Sequence, residues 1–119
     1  MDKDGELIAE LYAFFDLADR DFADGKTTAY LCAFRVKPEY RGQGNGTRLM
    51  AAVLAELKEM GFRYATIGVE SDEPRNYRLY QRFGFRKKIK DCHYDPCGMD
   101  ENMQPIYAEP VWWLLQKAL

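Results

Sequence analysis

The spacing of apolar and polar positions changes character several times along the chain, and each change predicts an element. Glu6–Phe15 mixes β-formers with good helix formers, so its period does not decide between strand and helix. Asp16–Lys26 is strongly polar, and its Asp24-Gly25 pair predicts a hairpin-type turn. From about Thr28 to Val36 the chain reads as a strand with Thr28, Tyr30, Cys32, Phe34 and Val36 on one face, stopped by Pro38. Leu49, Met50, Val53, Leu54, Leu57 and Met60 then recur at helical spacing and predict a helix from about Thr47 to Met60, capped by Gly61. Tyr64–Val69 predicts a short strand with Ala65, Ile67 and Val69 on one side. This strand–helix–strand unit is expected to be parallel with a right-handed crossover. Ser71–Pro74 carries helix-start chemistry, and a helix from about Asn76 to Phe83 follows, with Asn76, Leu79, Tyr80 and Phe83 sharing a face and Gly84 ending it. Phe85–Lys90 is expected as a strand, 91–109 as a loop, and Val111–Leu115 as the closing strand. Its neighbours Trp112 and Trp113 point to opposite faces, so one of them needs a cover other than the central core. The order of elements predicts one mixed α/β domain without internal repeats.

Chemistry concentrates where the first long strand passes into the first long helix. Arg41-Gly42-Gln43-Gly44-Asn45-Gly46 places three glycines in five residues, clearing side chains from a surface of N–H groups. Those groups, with Thr47, open a helix, so they lack intrahelical acceptors and lie at the positive end of its dipole. Such a place binds phosphate oxygens, and Arg41 adds a fixed charge. The residues therefore predict a diphosphate cradle. The spacing is neither G-x-G-x-x-G nor the nucleotide-triphosphate pattern, because no Lys-Ser or Lys-Thr pair follows the last glycine. A nucleotide-binding domain is disfavoured on that ground.

The stretch Val36-x-Pro38-x-x-Arg41-x-x-Gly44-x-Gly46 resembles the acyl-CoA pyrophosphate loop of the GNAT superfamily of N-acetyltransferases. Asn76-Tyr77-Arg78-Leu79-Tyr80-Gln81-Arg82-Phe83-Gly84-Phe85 resembles a second signature of that family, in the right order and at a family-like separation. The resemblance runs from about Gly5 to the C-terminus, loosely after Phe85, and puts a strand at Glu6–Phe15. It implies an α/β (α+β) fold with a mixed, mostly antiparallel sheet and flanking helices. It implies acetyl-CoA as co-substrate and an amine acceptor that attacks directly in a ternary complex. By the same resemblance Phe34, Arg35 and Val36 contact the pantetheine arm through their backbone, and the amide near Phe34 is the oxyanion donor. Tyr80 protonates the leaving thiolate, although an aromatic residue beside Leu79 and Phe83 also suits the core. Asn76 holds the pantetheine arm, or else caps its helix. Arg82 is read as a solvated helix face. The position where some members carry a basic glutamate is Tyr30 here, which leaves Glu70 as the candidate base through a water, ahead of Glu10 and Asp16. Family domains begin with a strand, two helices and a further strand before the segment that starts near Gly5, and none of these is expected here. A catalytically weak acyl-CoA-binding module is therefore the alternative reading.

Composition narrows the setting. With 119 residues, 47% hydrophobic and 30% charged, the chain has the balance of one soluble domain, and a net charge of −2 argues against a nucleic-acid binder. No apolar run approaches a membrane span, and the N-terminus does not resemble a signal peptide. Three cysteines fit a reducing, cytoplasmic setting. Cys92-His93-x3-Cys97 offers too few ligands for zinc, so no metal is expected. Arg86, Lys87, Lys88 and Lys90 form a basic cluster suited to steering an anion or to a solvated strand edge. An open strand edge and an uncovered sheet face would make a homodimer the expected assembly.

Overall fold

The computed structural model describes residues 2–3, 5–92, 96–99, 101–107 and 112–119. Its centre is a five-stranded sheet in the order β3-β4-β5-β9-β6. The strands are β3 (Ala9–Phe14), β4 (Thr28–Val36), β5 (Tyr64–Glu70), β6 (Lys87–Cys92) and β9 (Trp112–Ala118). β4 and β5 run parallel, and every other neighbour in this sheet is antiparallel. The expected mixed, mostly antiparallel α/β architecture is therefore present. β1 (Asp2–Lys3) pairs with β2 (Glu6–Leu7), and the stretch whose period was ambiguous forms two strands, β2 and β3, that part at Ile8 and end before Phe15. The segment expected as a loop over 91–109 carries the short pair β7 (Pro96–Met99) and β8 (Pro105–Tyr107). Proline and glycine hid these strands from a propensity reading. Val111 lies outside the described residues, and the closing strand continues to Ala118.

α1 (Asn45–Glu59) and α2 (Pro74–Phe83) each start two residues before the expected position. Pro74 has no N–H to leave unpaired and stands in the first turn of α2, where its fixed φ suits the helix. Asn76 consequently lies inside α2, exposed, and is not its N-cap, which is Glu73. Met50 and Leu57 of α1 are buried, with Val53 and Leu54 packed beside them, whereas Met60 is 53% exposed and leaves the predicted stripe. It stands at the C-cap, where the chain turns: Gly61 (φ 95°) donates its N–H to the Lys58 carbonyl, and Phe62 donates to Leu57.

The core lies between the helices and one sheet face. Ala29 and Leu31 of β4, Ala65, Ile67 and Val69 of β5, and Leu115 of β9 meet Met50, Leu57, Tyr80 and Phe85 there. The opposite face is closed partly by the segment between β3 and β4. Phe22 of that segment packs edge-on against Tyr30 and Trp112, with ring centroids 5.1 and 5.5 Å apart, and the Thr66 hydroxyl donates to its carbonyl at 2.7 Å. Trp112 thus finds its cover in Phe22 while Trp113 packs on Tyr77 with the core. Lys90 pins the segment from β6, pairing with Asp19 at 2.5 Å and Asp21 at 3.1 Å. The turn at Asp24-Gly25 forms around the Asp24 carboxylate, which accepts the Thr27 hydroxyl and the amides of Lys26, Thr28 and Thr27. These bonds hold its pKa well below the usual carboxylate range.

One expectation about β4 is overturned. Its residues do not keep a single alternation, because Leu11 of β3 faces a two-residue step between Cys32 and Arg35, and Ala33 takes a left-handed φ of 55°. This bulge reverses the phase: Thr28, Tyr30 and Cys32 stay on the sheet face away from the helices, while Phe34 joins the core side beneath α1. Leu7, Tyr12, Phe14 and Phe15 are exposed on and beside β3, the sheet edge.

Candidate coenzyme site

The bulge also opens the sheet. The parallel ladder between β4 and β5 ends at Leu31 opposite Ile67, after which β5 continues beside β9 alone. Residues 32–36 of β4 therefore show no ladder partner on the β5 side among the described residues. Lys37 donates its amide to Ile8 at 2.8 Å, and by strand alternation Arg35, opposite Glu10, also turns its main chain to β3. Val36 turns the other way, and its carbonyl accepts Nε of Arg41 at 3.0 Å. Of the three backbone contacts expected, Val36 faces the split, Phe34 lies at the end of the bulge and lines the cleft, and Arg35 faces away.

A cleft of about 200 Å³ lies over this split, lined by Phe34 and Val36, by the turn from Tyr40 through Thr47, and by Leu79 and Phe83 of α2. Its floor is the start of α1. Gly44 is the N-cap, with φ of 80°, and no side chain caps the first-turn amides of Asn45, Gly46 and Thr47. Gly42 also has positive φ, and a Cβ there would meet nothing within 4 Å, so the approach to the amides is open. Gly46 serves packing instead: a Cβ would come within 3.0 Å of Phe34 and 3.2 Å of Val36. The side chains of Gln43 and Asn45 hold the turn's shape, since Gln43 donates to the Glu39 carbonyl and Asn45 to that of Tyr40, both at 3.1 Å. Arg48, absent from the sequence reading, bonds the Asn45 side chain and the Gln43 carbonyl and so ties the turn to α1. Its position one turn into α1 was the signal available. Uncapped amides, a helix N-terminus and Arg41 on the cleft wall together suit a diphosphate.

Tyr80 lies on the core-facing side of α2, only 8% exposed, with its ring edge-on to Phe85 at 6.4 Å. Burial raises its pKa, so the phenol keeps its proton at neutral pH. Tyr30, at the position where a base was sought, is pushed up to about 12, first by burial and then by Cys32, Cys92 and Tyr80 nearby. It cannot act as a base near neutral pH. Glu70, half-buried at the end of β5, lines a separate hollow of about 260 Å³ with Tyr30, Gly68, Val69 and Trp112. Its carboxylate lies with those of Asp72 and Glu73, all within 4.8 Å of one another, a grouping the sequence reading missed. Of the zinc-like cluster, Cys92 is buried, while His93 and the Cys97 side chain lie outside the described residues. Among the described residues no helix is long and apolar enough to cross a membrane.

Comparison with known proteins agrees with this geometry. Mycothiol acetyltransferase of Nocardiopsis dassonvillei is 29% identical over 94 residues, which are 79% of this chain and 28% of that protein. Spermine/spermidine N(1)-acetyltransferase of Bacillus subtilis is 28% identical over 85 residues, 70% of this chain and 55% of that protein. The chain thus spans little more than a quarter of the first of these relatives and about half of the second. Among solved structures, a GNAT family acetyltransferase from Elizabethkingia anophelis with acetyl-CoA bound matches 99% of this chain and 72% of its own, with a TM-score of 0.72 at 21% identity. Ard1 from Thermoplasma volcanium shares the fold with a TM-score of 0.70 at 17% identity, over 98% of this chain and 66% of that one. Residues 1–85 match the acetyltransferase (GNAT) family, and with the bulged, split sheet and the uncapped helix already in place, the chain belongs to that family.

Proposed function

We propose that the chain binds acetyl-CoA in the cleft between β4, α1 and α2 and acts as an N-acetyltransferase, the amine attacking directly within a ternary complex. One observation carries the reading: the uncapped first turn of α1 and the edge of β4 that has no strand partner among the described residues line the same cleft. Acetyl-CoA as co-substrate supplies an activated thioester. The amides of Asn45, Gly46 and Thr47, with Arg41, hold its diphosphate, while Gly42, Gln43 and Gly44 shape the approach. The β4 edge at Phe34 and Val36 aligns the pantetheine arm as an added strand would be aligned, and its amides offset negative charge on the acyl oxygen. Exposed Asn76 offers its side-chain amide to the same arm. Tyr80 holds the proton that the departing sulfur needs, and Glu70 takes one from the attacking amine through a water.

A second reading, a catalytically weak acyl-CoA-binding module, is favoured by the burial of Tyr80 and by the separate hollow that holds Glu70. Calorimetric titration with acetyl-CoA, followed by free-thiol release across an amine panel, separates the two. Binding with amine-dependent thiol release supports the transferase; binding without release selects the module; no binding defeats both.

A further inference from the structure

The two edges of the central sheet are not alike. β6, at one edge, carries Lys87, Lys88 and Lys90, and its register with β9 slips between Lys88 and Lys90. Lysines and a bulge keep an edge from pairing with a further strand. β3, at the other edge, reads Ala9-Glu10-Leu11-Tyr12-Ala13-Phe14, with neither lysine nor proline. Leu11 and Ala13 pack with the core, so Tyr12 and Phe14 project from the opposite face. Tyr12 is 53% exposed and Phe14 46%, which leaves about half of each aromatic residue in water.

The edge is open in its main chain as well. The Ile8 carbonyl accepts the Lys37 amide, and Glu10 lies opposite Arg35. By strand alternation Ile8, Glu10, Tyr12 and Phe14 turn their main chain to β4, while Leu11 and Ala13 turn theirs outward. Among the described residues no strand pairs with β3 on that side. A strand laid along it meets four main-chain groups, the N–H and C=O of Leu11 and of Ala13.

We infer that β3 is the interface of a homodimer, in which β3 of a second copy pairs antiparallel across a two-fold axis at Tyr12 and joins the two sheets into one. The inference is independent of the coenzyme reading. Charge selects the register. Centred on Leu11, the pairing sets the two Glu10 carboxylates at diagonal positions, about 7–8 Å apart. Centred on Ala13, it sets Glu10 across from the copy's Asp16. Both place like charges together. Centred on Tyr12, Leu11 and Ala13 exchange bonds with the copy's Ala13 and Leu11, and Glu10 lies across from the copy's Phe14. Glu10 stays compensated on its own sheet, where it accepts the Tyr12 hydroxyl at 3.2 Å and faces Arg35 at 3.5 Å. The two Tyr12 residues meet as a non-hydrogen-bonded pair with Cα atoms about 4.5 Å apart, and the aromatic rings of both copies form one row. The strand is thus its own complement in apolar side chains, in charge and in main-chain bonds.

The test is sedimentation equilibrium of the whole chain across the micromolar range, repeated on Tyr12→Lys after its fold is checked by circular dichroism. One strand pair with its row of rings buries a small area, so wild type is expected to reach twice the chain mass with a micromolar Kd. Tyr12→Lys removes the ring pair and sets two ammonium groups opposite each other, which is expected to weaken the dimer about 10-fold. A second measurement reads the register. Tyr12→Cys, treated with oxidised glutathione, is expected to form a disulfide-linked dimer, because the spacing of a non-hydrogen-bonded pair lies within disulfide range. Glu10→Cys, two residues from the axis on each copy, is expected to cross-link no more than wild type. A wild-type chain that stays monomeric overturns the inference and leaves the edge to a strand from another protein. A folded Tyr12→Lys that dimerises like wild type overturns it too, by moving the contact to another surface. If Tyr12→Lys does not fold, the cysteine variants decide: cross-linking at 12 and not at 10 supports the interface, and any other pattern overturns it.

Discussion

Gly46 in the first turn of α1 lies directly on Phe34 of β4, so close that a Cβ would stand 3.0 Å from the ring. This contact sets how near the helix N-terminus comes to the open strand edge. The first prediction follows from it. Gly46→Val should overpack the junction and cost about 1–3 kcal/mol in denaturant stability. It should weaken acetyl-CoA binding as α1 is pushed off β4. A variant with wild-type stability and affinity would show that the helix and strand can separate without harm.

Gly44 makes a contrasting case. Its φ of 80° is a left-handed conformation, and a Cβ would stand 3.1 Å from the Arg48 guanidinium, the far end of a long side chain. Gly44→Val should remain folded, at a strain cost of at least about 2 kcal/mol, since the left-handed region penalises any Cβ and a β-branched side chain most. Its side chain would stand in the phosphate approach and abolish coenzyme binding. Unchanged affinity in a folded variant would remove the loop from the site.

Ala33 carries the bulge that splits the sheet, and its φ of 55° is uncommon for alanine. A β-branched residue tolerates that region worst. Ala33→Val should lower stability by about 1–3 kcal/mol, whereas Ala33→Gly should stay within about 1 kcal/mol of wild type. Equal stability of the two variants in urea would mean that the bulge relaxes.

Ala33 also shows where the sequence stops being legible. The stripe from Met50 to Leu57 announced α1, and Ala65, Ile67 and Val69 announced the buried face of β5, because burial selects residues at a fixed period. A bulge built on alanine leaves no such mark, so Phe34 was placed on the face of Tyr30 when it lies on the other. The turn before α1 was readable because glycine at 42 and 44 answers a backbone requirement, a positive φ. Tyr80 was ambiguous for a physical reason: the helical spacing that turns a side chain into the core, where Tyr80 lies against Phe85, is the same spacing expected of a residue facing a site. Arg48 and Tyr40, which tie the turn together, went unread because their contacts join backbone carbonyls and side chains across the loop.

Tyr30 supplies a pH prediction. Its pKa is near 10 in an unfolded chain and about 12 in the fold, chiefly through burial. Between those values the unfolded chain loses the proton while the folded one keeps it, so stability falls as pH rises. The contribution is whole below pH 10 and gone above about 12; two units would be about 3 kcal/mol for a fully buried phenol, and the partial exposure of Tyr30 lowers this to about 1–2 kcal/mol. Lys37 and Lys90, whose pKa values are raised by carboxylate partners, lose stabilisation at alkaline pH too. Urea unfolding of wild type and Tyr30→Phe at pH 9 and pH 11.5 isolates the phenol. The variant should show the shallower loss, and parallel losses would place Tyr30 in contact with solvent.

Tyr80 gives the mechanistic test. Phenylalanine keeps the ring that packs edge-on to Phe85 and removes only the hydroxyl. On the proposed reading coenzyme binding rests on the α1 amides and the β4 edge, so Kd for acetyl-CoA should hold. If Tyr80 is the acid, kcat should fall ~10²–10⁴-fold, the range for one general acid. A loss confined to kcat marks an interaction made only in the transition state, whereas a parallel rise in KM would mark ground-state binding. Burial adds a second readout. The raised pKa of Tyr80 keeps the acid protonated well past neutral pH, so the wild-type rate should show no loss of this acid below pH 10. A folded Tyr80→Phe that turns over normally assigns the proton to water and returns Tyr80 to the core. A variant that unfolds does the same by another route, since it makes the hydroxyl a structural group.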